Sequence, residues 1–321
     1  MAGEDPADSL AATGEFAVIN RLVAGRRQPP FVSVGPGDDA AVVAAADGRT
    51  VVCTDMLVEG RHFRLDWSTA HDVGRKAIAQ NAADIEAMGA RATAFVVGFG
   101  APGDTATTRA VELADGLWHE AGLLGAGIVG GDMVQAPQWV VSVAALGDLD
   151  GLHPVCRSGA QPGDTVAVIG DLGCSTAGYT VLHNGIGGFD DLRGRHRVPV
   201  PPYGQGAVAA RAGATSMTDV SDGLLADLGH IATASGVWVD LSATGLRDDV
   251  DALTGAAAAT GSDPWEWVLG GGEDHALVAT FPVAAPPGWR VIGTVSDVAD
   301  APPRVTVDGV AWGGDPGWQS F

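Results

Sequence analysis

Lysine is almost absent from this sequence of 321 residues, since Lys76 is its single lysine among 18 basic residues. Lys76 follows Arg75, so a phosphate-binding loop ending in Gly-Lys-Ser or Gly-Lys-Thr is excluded. Acidic residues number 39, and a net charge of -21 would repel a nucleic-acid backbone or an anionic membrane surface. We therefore expect neither partner. If the protein handles nucleotide phosphates, arginine, backbone amides or metal ions held by aspartates must meet their charge.

Cysteines and long apolar runs are also scarce. Cys53, Cys156 and Cys174 are too few and too scattered for a disulfide framework or a Cys-x-x-Cys zinc site. No segment approaches ~20 uncharged apolar residues, the length that spans a membrane. The first dozen residues are acidic and small, without the basic start and apolar run of a secretory signal. These absences make the cytoplasm the expected location.

The length of the chain suits two domains of ordinary size. Strand and helix patterns alternate as far as residue 146, which predicts one α/β domain. Residues 147–163 are rich in glycine and proline, and we place the domain boundary there. The predicted domains are therefore residues 1–149 and residues 150–321, the second of which opens on a strand at 164–170.

Acidic residues recur at the edges of apolar segments. Val51, Val52 and Thr54 favour an extended conformation, which predicts a buried strand ending on Asp55. A lone aspartate there would most simply cap the following loop. Four further segments repeat the pattern: Gly37-Asp38-Asp39-Ala40, Asn81-Ala82-Ala83-Asp84, Gly130-Gly131-Asp132 and Asp219-Val220-Ser221-Asp222-Gly223. The repetition indicates a shared role as ligands.

Asp84 lies within an apolar pattern of helical period. A helix from Ala70 to Met88 would place Asp84 on the same face as Val73 and Ala77. An unpaired carboxylate on that face would be strongly unfavourable, so a cation or hydrogen-bond donors should meet it. A salt bridge to an arginine of the core and a metal ion both satisfy this requirement. The other acids of the chain favour the metal ion.

Two further acidic segments combine an acid with a turn. A short strand at 127–129 is predicted to lead into Gly130-Gly131-Asp132, where glycines let a ligand approach the backbone. Ser221 is predicted to be the N-cap of a helix, which places the positive helix end beside Asp219 and Asp222. Capping explains one acid. Two acids three residues apart suit a divalent cation better.

In this order, the motifs resemble those of the thiamine-monophosphate kinase family, within the aminoimidazole ribonucleotide synthetase-like superfamily of ATP-binding proteins. They are GDDAA at 37–41, TDMLVEGRHF at 54–63, NAADIEAMG at 81–89, GGD at 130–132, DVSDGL at 219–224 and GGED at 271–274. Each motif is short, but six in register cover nearly the whole chain. The assignment to this family rests on residues 55–63, residues 271–274 and the aromatic residue near the end.

The resemblance implies an ATP- and Mg²⁺-dependent kinase that phosphorylates thiamine monophosphate. It implies a two-domain α/β (α+β) fold whose N-terminal sheet pairs across a homodimer. The implied ligands of several Mg²⁺ ions are Asp38, Thr54, Asp55, Asp84, Asp132, Asp219 and Asp222, with catalytic roles for Asp84, Asp132 and Asp222. The implied ATP contacts are Gly131, Asp132, Arg157 and Ser221, and the implied substrate contacts are His62, Glu273 and Trp318.

Three positions depart from the pattern of that family. Cys53 and Gly270 stand where serine is usual, and Trp318 stands where tyrosine is common. The first departure leaves a side-chain metal contact at position 53 in question, whereas the last keeps an aromatic face. That face either stacks on the thiazolium of the substrate or fills the core of the second domain.

Two alternative functions stay open from the sequence. One is another ATP-dependent member of the superfamily, similar to selenophosphate synthetase or the hydrogenase-maturation protein. Those proteins typically carry a reactive cysteine in a glycine-rich N-terminal segment or at the C-terminus, and this sequence has neither. The other alternative is a non-catalytic acidic metal-binding protein.

Overall fold

The computed structural model describes residues 9–13, 15–34, 41–298 and 302–318. These residues form two compact units. The first comprises the described residues up to Ala82 together with Ala92–Asp148, and the second comprises Ala83–Arg91 together with the described residues from Leu149 onward. Each unit mixes helices and strands, as predicted.

The first unit is built around a four-stranded sheet. Its elements in chain order are α1 (Leu10–Thr13), α2 (Glu15–Val23), β1 (Val32–Val34), β2 (Val42–Val43), β3 (Val51–Val58), α3 (Ala70–Ala87), β4 (Arg91–Ala101), α4 (Thr107–Leu123), β5 (Gly127–Gln135) and β6 (Val140–Asp148). The strand order is β3-β6-β4-β5, with β3 and β6 antiparallel and β4 and β5 parallel. Strands β1 and β2 form a separate antiparallel pair.

The helix predicted from Ala70 to Met88 is confirmed as α3. It ends before Gly89, whose φ of 75° is the left-handed conformation of a glycine that terminates a helix. The last residues of α3, including Asp84, belong to the second unit.

Two strand ends differ from the prediction. Strand β3 does not end at Asp55, because all eight residues from Val51 to Val58 pair with β6. Strand β5 does not stop at residue 129 but continues through Gly131 to Gln135. A Cβ on Gly131 would lie 2.2 Å from the backbone oxygen of Val97, so close strand packing requires glycine there.

The second unit is built around a six-stranded sheet. Its elements are β7 (Thr165–Ile169), α5 (Cys174–His183), α6 (Asp190–Arg197), α7 (Gln205–Arg211), β8 (Ser216–Asp219), α8 (Leu224–Ser235), β9 (Val237–Leu241), α9 (Arg247–Thr260), α10 (Pro264–Gly270), β10 (Leu277–Phe281), β11 (Arg290–Asp297) and β12 (Arg304–Val307). The strand order is β12-β9-β11-β7-β10-β8, in which β9 and β12 are parallel and the other pairs are antiparallel.

Apolar cores cover both faces of this sheet. Val166 and Val168 of β7 belong to one cluster of buried residues, whereas Ala167 between them belongs to another. Because side chains alternate along a strand, the two clusters lie on opposite faces. Burial on both faces explains the continuous apolar run of β7.

Candidate active site

Asp219 and His275 form a buried pair where β8 ends and β10 begins. His275 Nδ1 lies 2.9 Å from Asp219 Oδ2. Burial opposes a charge on His275, but the hydrogen bond and charge of Asp219 outweigh it and raise the pKa of the imidazole. The charges of Glu273 and Asp84 act in the same direction. The carboxylate of Asp219 and the imidazole of His275 are therefore held together next to the loop that follows β8.

Asp227 organises that loop, a role that the sequence did not reveal. Its Oδ2 accepts the backbone N–H groups of Ser221, Asp222 and Gly223 at 3.0, 3.0 and 3.1 Å. Ser221 is therefore not the N-cap that was predicted, since α8 begins only at Leu224. The signal in the sequence was a third acid, five residues after Asp222. It resembled an ordinary acid in the first turn of a helix.

The loop concentrates groups that are able to bind a cation. Three potential ligand atoms lie within 4.8 Å of one another: a carboxylate oxygen of Asp222, a carboxylate oxygen of Asp227 and a ring nitrogen of His230. Burial raises the pKa of Asp222, and burial together with the charge of Asp219 raises the pKa of Asp227 to about 7. A divalent cation would favour the ionised carboxylates, and oxygen donors of this kind fit Mg²⁺.

The loop at residues 270–275 packs against the loop that follows β8. Glu273 and His275 donate their backbone N–H groups to the carbonyl oxygens of Ser221 and Val220, both at 2.8 Å. Glu273 and His275 both have positive φ, 65° and 55°, a conformation that is rare outside glycine and concentrated at functional sites. The predicted Glu273 therefore lies against the loop that carries Ser221 and Asp222.

Asp274 joins a third segment to this constellation. Its carboxylate accepts the backbone N–H groups of Gly173 and Ser175, at 2.5 and 2.8 Å, where α5 begins. Burial raises the pKa of Asp274 to about 7, although both hydrogen bonds favour the ionised form. Three segments thus meet where β7 and β8 end: residues 170–175, 219–223 and 270–275.

Trp318 and Arg157 lie beside these segments. The backbone N–H of Trp318 donates to the carbonyl oxygen of Asp222 at 2.9 Å, while the residue is 57% exposed. Trp318 therefore does not fill the core of the second unit, and its exposure leaves the stacking prediction standing. Arg157 is exposed, and its Nε donates to Oγ1 of Thr218 at 3.3 Å, next to Asp219.

The predicted metal ligands of the first unit are spread along its sheet. Thr54 and Asp55 lie on edge strand β3, and Asp132 lies on the opposite edge strand, β5. Three strand spacings, roughly 14 Å, separate the two edges. A single ion therefore does not bridge Asp55 and Asp132 within this unit. The predicted ligand Asp38 lies outside the described residues.

Asn81 and His62 support the β3 region. Asn81 Oδ1 accepts the N–H of Asp55 at 3.0 Å, which fixes the backbone beside that carboxylate. Cys53 Sγ lies 3.4 Å from the carbonyl oxygen of Asn81. His62 Nδ1 accepts the N–H of Val58 at 3.0 Å. The side chain of His62, the predicted substrate contact, is thus hydrogen-bonded to the last residue of β3.

Comparisons with known proteins agree with this architecture. The family model named AIR synthase related protein, N-terminal domain, matches residues 37–149. The thiamine-monophosphate kinase of Mycobacterium tuberculosis is 66% identical over 321 residues, covering 100% of this chain and 95% of its relative.

Solved structures give the same picture. The crystal structure of thiamine-monophosphate kinase from Stenotrophomonas maltophilia K279a has a TM-score of 0.77 at 29% identity, covering 92% of this chain and 95% of that one. AaThiL complexed with AMPPCP and TMP has a TM-score of 0.76 at 28% identity, covering 96% and 97%. The expected two-domain fold of the aminoimidazole ribonucleotide synthetase type is confirmed. Across the described residues, the helices are too short or too polar to cross a membrane.

Proposed function

The chain belongs to the thiamine-monophosphate kinase family, and on that premise we propose that it transfers the γ-phosphoryl group of ATP to thiamine monophosphate. The product is thiamine diphosphate. Similarity over the whole chain to a kinase of that name supports the proposal. So does the match to the structure of AaThiL complexed with AMPPCP, an ATP analogue, and TMP.

The observation in the structure that carries the proposal is the meeting of three segments at the ends of β7 and β8. It collects Asp219, Asp222 and Glu273, together with the exposed ring of Trp318, around one loop. Carboxylates suit the binding of metal-bound phosphates, and an indole face suits a delocalised cation such as thiazolium. The same site thus offers carboxylates for the phosphate of thiamine monophosphate, bound through metal ions, and an indole face for its thiazolium ring.

The reaction needs no general base. The acceptor oxygen of thiamine monophosphate is already ionised near neutral pH, so no proton must be removed before it attacks. The remaining task is to hold two polyanions in line against their mutual repulsion. Mg²⁺ supplies the neutralising charge when it is bound. This chemistry explains how a chain with a single lysine can handle phosphate groups.

We assign the residues as the resemblance implies. The proposed Mg²⁺ ligands are Asp38, Thr54, Asp55, Asp84, Asp132, Asp219 and Asp222. Of these we place Asp84, Asp132 and Asp222 closest to the chemistry. Gly131, Asp132, Arg157 and Ser221 would hold ATP, and His62, Glu273 and Trp318 would hold thiamine monophosphate.

We also propose a homodimer formed through the sheet of the first unit. Val52, Met56, Val96 and Val134 on its strands are apolar and 39–65% exposed. Val52 and Met56 alternate with inward residues of β3, so they share the outer face of the sheet. Exposed apolar residues grouped on one sheet often mark an interface, and a second copy of the sheet would cover them.

The predicted division of labour follows from these assignments. Residues 1–149 would bind ATP and metal and form the dimer, and residues 150–321 would complete the active site. We propose the cytoplasm as the location, since ATP is the co-substrate and all three cysteines are free thiols.

The deciding experiment incubates the protein with ATP, Mg²⁺ and thiamine monophosphate, beside free thiamine as the control acceptor. We expect thiamine diphosphate in the first reaction and no phosphorylated product in the second. ATP turnover without thiamine diphosphate would favour another enzyme of the superfamily. No turnover of either acceptor would favour a non-catalytic metal-binding protein.

A further inference from the structure

The single lysine of the chain lies buried next to a proposed substrate residue. Lys76, on α3, is only 1% exposed. Its Nζ donates a hydrogen bond to the carbonyl oxygen of His62 at 2.9 Å. Burying an ammonium group is unfavourable unless oxygen atoms accept hydrogen bonds from it. The backbone at His62 is therefore one of the groups that hold the Lys76 charge in place.

A second contact fixes the imidazole of His62. The backbone N–H of Val58 donates to His62 Nδ1 at 3.0 Å. A nitrogen that accepts a hydrogen bond carries no proton, so the proton of the neutral ring must lie on Nε2. His62 is therefore presented as a hydrogen-bond donor through Nε2.

Further hydrogen bonds close the turn between these two residues. The N–H of His62 donates to the carbonyl oxygen of Val58 at 3.0 Å, and the N–H of Gly60 donates to that of Phe63 at 2.8 Å. Phe63 is buried and anchors the far end of the turn. Lys76 thus holds the carbonyl oxygen of His62 within this short turn. Val58, at the end of β3, orients the imidazole of the same residue.

From these contacts we propose that Lys76 is a positioning residue for substrate binding. It holds the turn at residues 58–63 so that Nε2–H of His62 donates to an oxygen acceptor of thiamine monophosphate. The inference rests on the proposed function for the identity of that acceptor, but the tautomer and the anchoring of His62 are independent of it. Lys76 itself need not touch the substrate.

The kinetic test is a double-mutant cycle between Lys76→Met and His62→Ala. Methionine keeps the unbranched shape of lysine and removes the ammonium. We expect Lys76→Met to raise KM for thiamine monophosphate about tenfold, equivalent to ~1.4 kcal/mol, with little change in KM for ATP. In the His62→Ala background the same substitution should cause no further rise. Additive effects of the two substitutions would overturn the proposal.

Arg75→Met provides the matched control. Arg75 precedes Lys76 on α3, and its Nε donates to Oε2 of the buried Glu120 at 2.8 Å. Removing this cation should lower the melting temperature without changing KM for thiamine monophosphate. If both methionine variants raise that KM equally, Lys76 is merely structural and the proposal fails.

A spectroscopic measurement on the unaltered protein covers the case in which Lys76→Met does not fold. With ¹⁵N-labelled histidine, His62 should show a protonated Nε2 and an unprotonated Nδ1, its signals being assigned by their loss in His62→Gln. With ¹⁵N-labelled lysine, the single Nζ signal should exchange slowly with solvent. A proton on Nδ1, or rapid exchange at Nζ, would overturn the inference even if thiamine monophosphate proves not to be the substrate.

Discussion

Nδ1 of His275 lies 2.9 Å from Oδ2 of Asp219, and both side chains are buried. The hydrogen bond joins one carboxylate of the proposed metal site to a histidine whose pKa that carboxylate raises. His275→Leu would leave Asp219 buried without this partner, at a stability cost of about 3 kcal/mol. We expect a lower melting temperature in EDTA and a larger stabilisation by Mg²⁺ than in the wild type, because the metal replaces the lost partner of the carboxylate.

The control for this variant is His119→Leu. His119 is exposed, and its Nδ1 lies 3.2 Å from Nε2 of His71. Differential scanning calorimetry with and without Mg²⁺ gives the comparison. Equal Mg²⁺-dependent gains in His275→Leu and in the wild type would show that Asp219 is not part of a metal site.

Asp84→Asn should nearly abolish phosphotransfer while leaving the fold intact, because it removes a charge and keeps the shape of the side chain. Glu86→Gln on the same helix is its matched control. Glu86 accepts the N–H groups of Gly204 and Gly206, so its substitution should lower stability and spare turnover. Turnover like that of the wild type in Asp84→Asn at saturating Mg²⁺ would rule out Asp84 as a ligand.

Stability should depend on pH through Asp274. Burial raises its pKa to about 7, whereas the ordinary pKa of an aspartate, expected in the unfolded chain, is 3.8. Between these values the folded protein binds more protons than the unfolded chain, so this group lowers the free energy of unfolding as pH rises from about 4 to about 7.

Asp274→Asn removes that titration and should flatten this part of the pH dependence. Urea unfolding in EDTA at several pH values between about 4 and about 8 measures the effect. Asp227, whose pKa is also raised to about 7, is present in both proteins, so the difference isolates Asp274. Parallel pH profiles would contradict the prediction.

The proposed dimer predicts that a charge on the outer face of the first sheet separates the subunits. Val52→Asp introduces a carboxylate at a position that is 65% exposed in one chain. We expect sedimentation velocity to show a dimer for the wild type and a monomer for the variant. Val310→Asp, at a position 68% exposed in the second unit, should remain dimeric. An active wild-type monomer at assay concentration would refute the dimer.

Local patterns predicted helix α3 better than the ends of the strands. The period of apolar residues sufficed for α3, because helical hydrogen bonds lie within the segment itself. The end of β3 depends instead on its pairing with β6, a strand more than 80 residues away in the sequence. Gly131 likewise looked like a ligand-binding turn, while its close approach to Val97 is a contact between strands.

For the candidate site, the sequence indicated the acidic residues without their partners. Asp219 and Asp222 were recognisable from their spacing, but the imidazole beside Asp219 comes from His275, a loop residue 56 positions later. Asp227 was missed because it accepts its three hydrogen bonds from backbone N–H groups. Such contacts do not depend on the side chains of the donor residues, so the sequence does not indicate them. Tertiary contacts therefore determine which carboxylates accept hydrogen bonds from the backbone and which remain available for ligands.

The tail near Trp318 provides the last prediction. Trp318 is 57% exposed, while its backbone N–H is hydrogen-bonded to the carbonyl oxygen of Asp222. Stacking of an indole on a thiazolium contributes about 0.5–2 kcal/mol, so Trp318→Ala should weaken thiamine monophosphate binding roughly 2- to 30-fold. ATP binding should change little, because we assign its phosphates to the aspartates and to Arg157. Isothermal titration calorimetry with each ligand measures both affinities.

Trp238→Ala controls for the loss of an indole from the same unit. Trp238 stacks beneath Arg304 at 4.1 Å and donates from Nε1 to Oγ1 of Thr306 at 2.7 Å, contacts that hold β9 to β12. This substitution should lower the melting temperature and leave both affinities unchanged, since its contacts are internal to the sheet. For Trp318→Ala the opposite result is expected. A large loss of thermal stability with an unchanged affinity for thiamine monophosphate would mean that the tail is structural and that the indole does not bind the substrate.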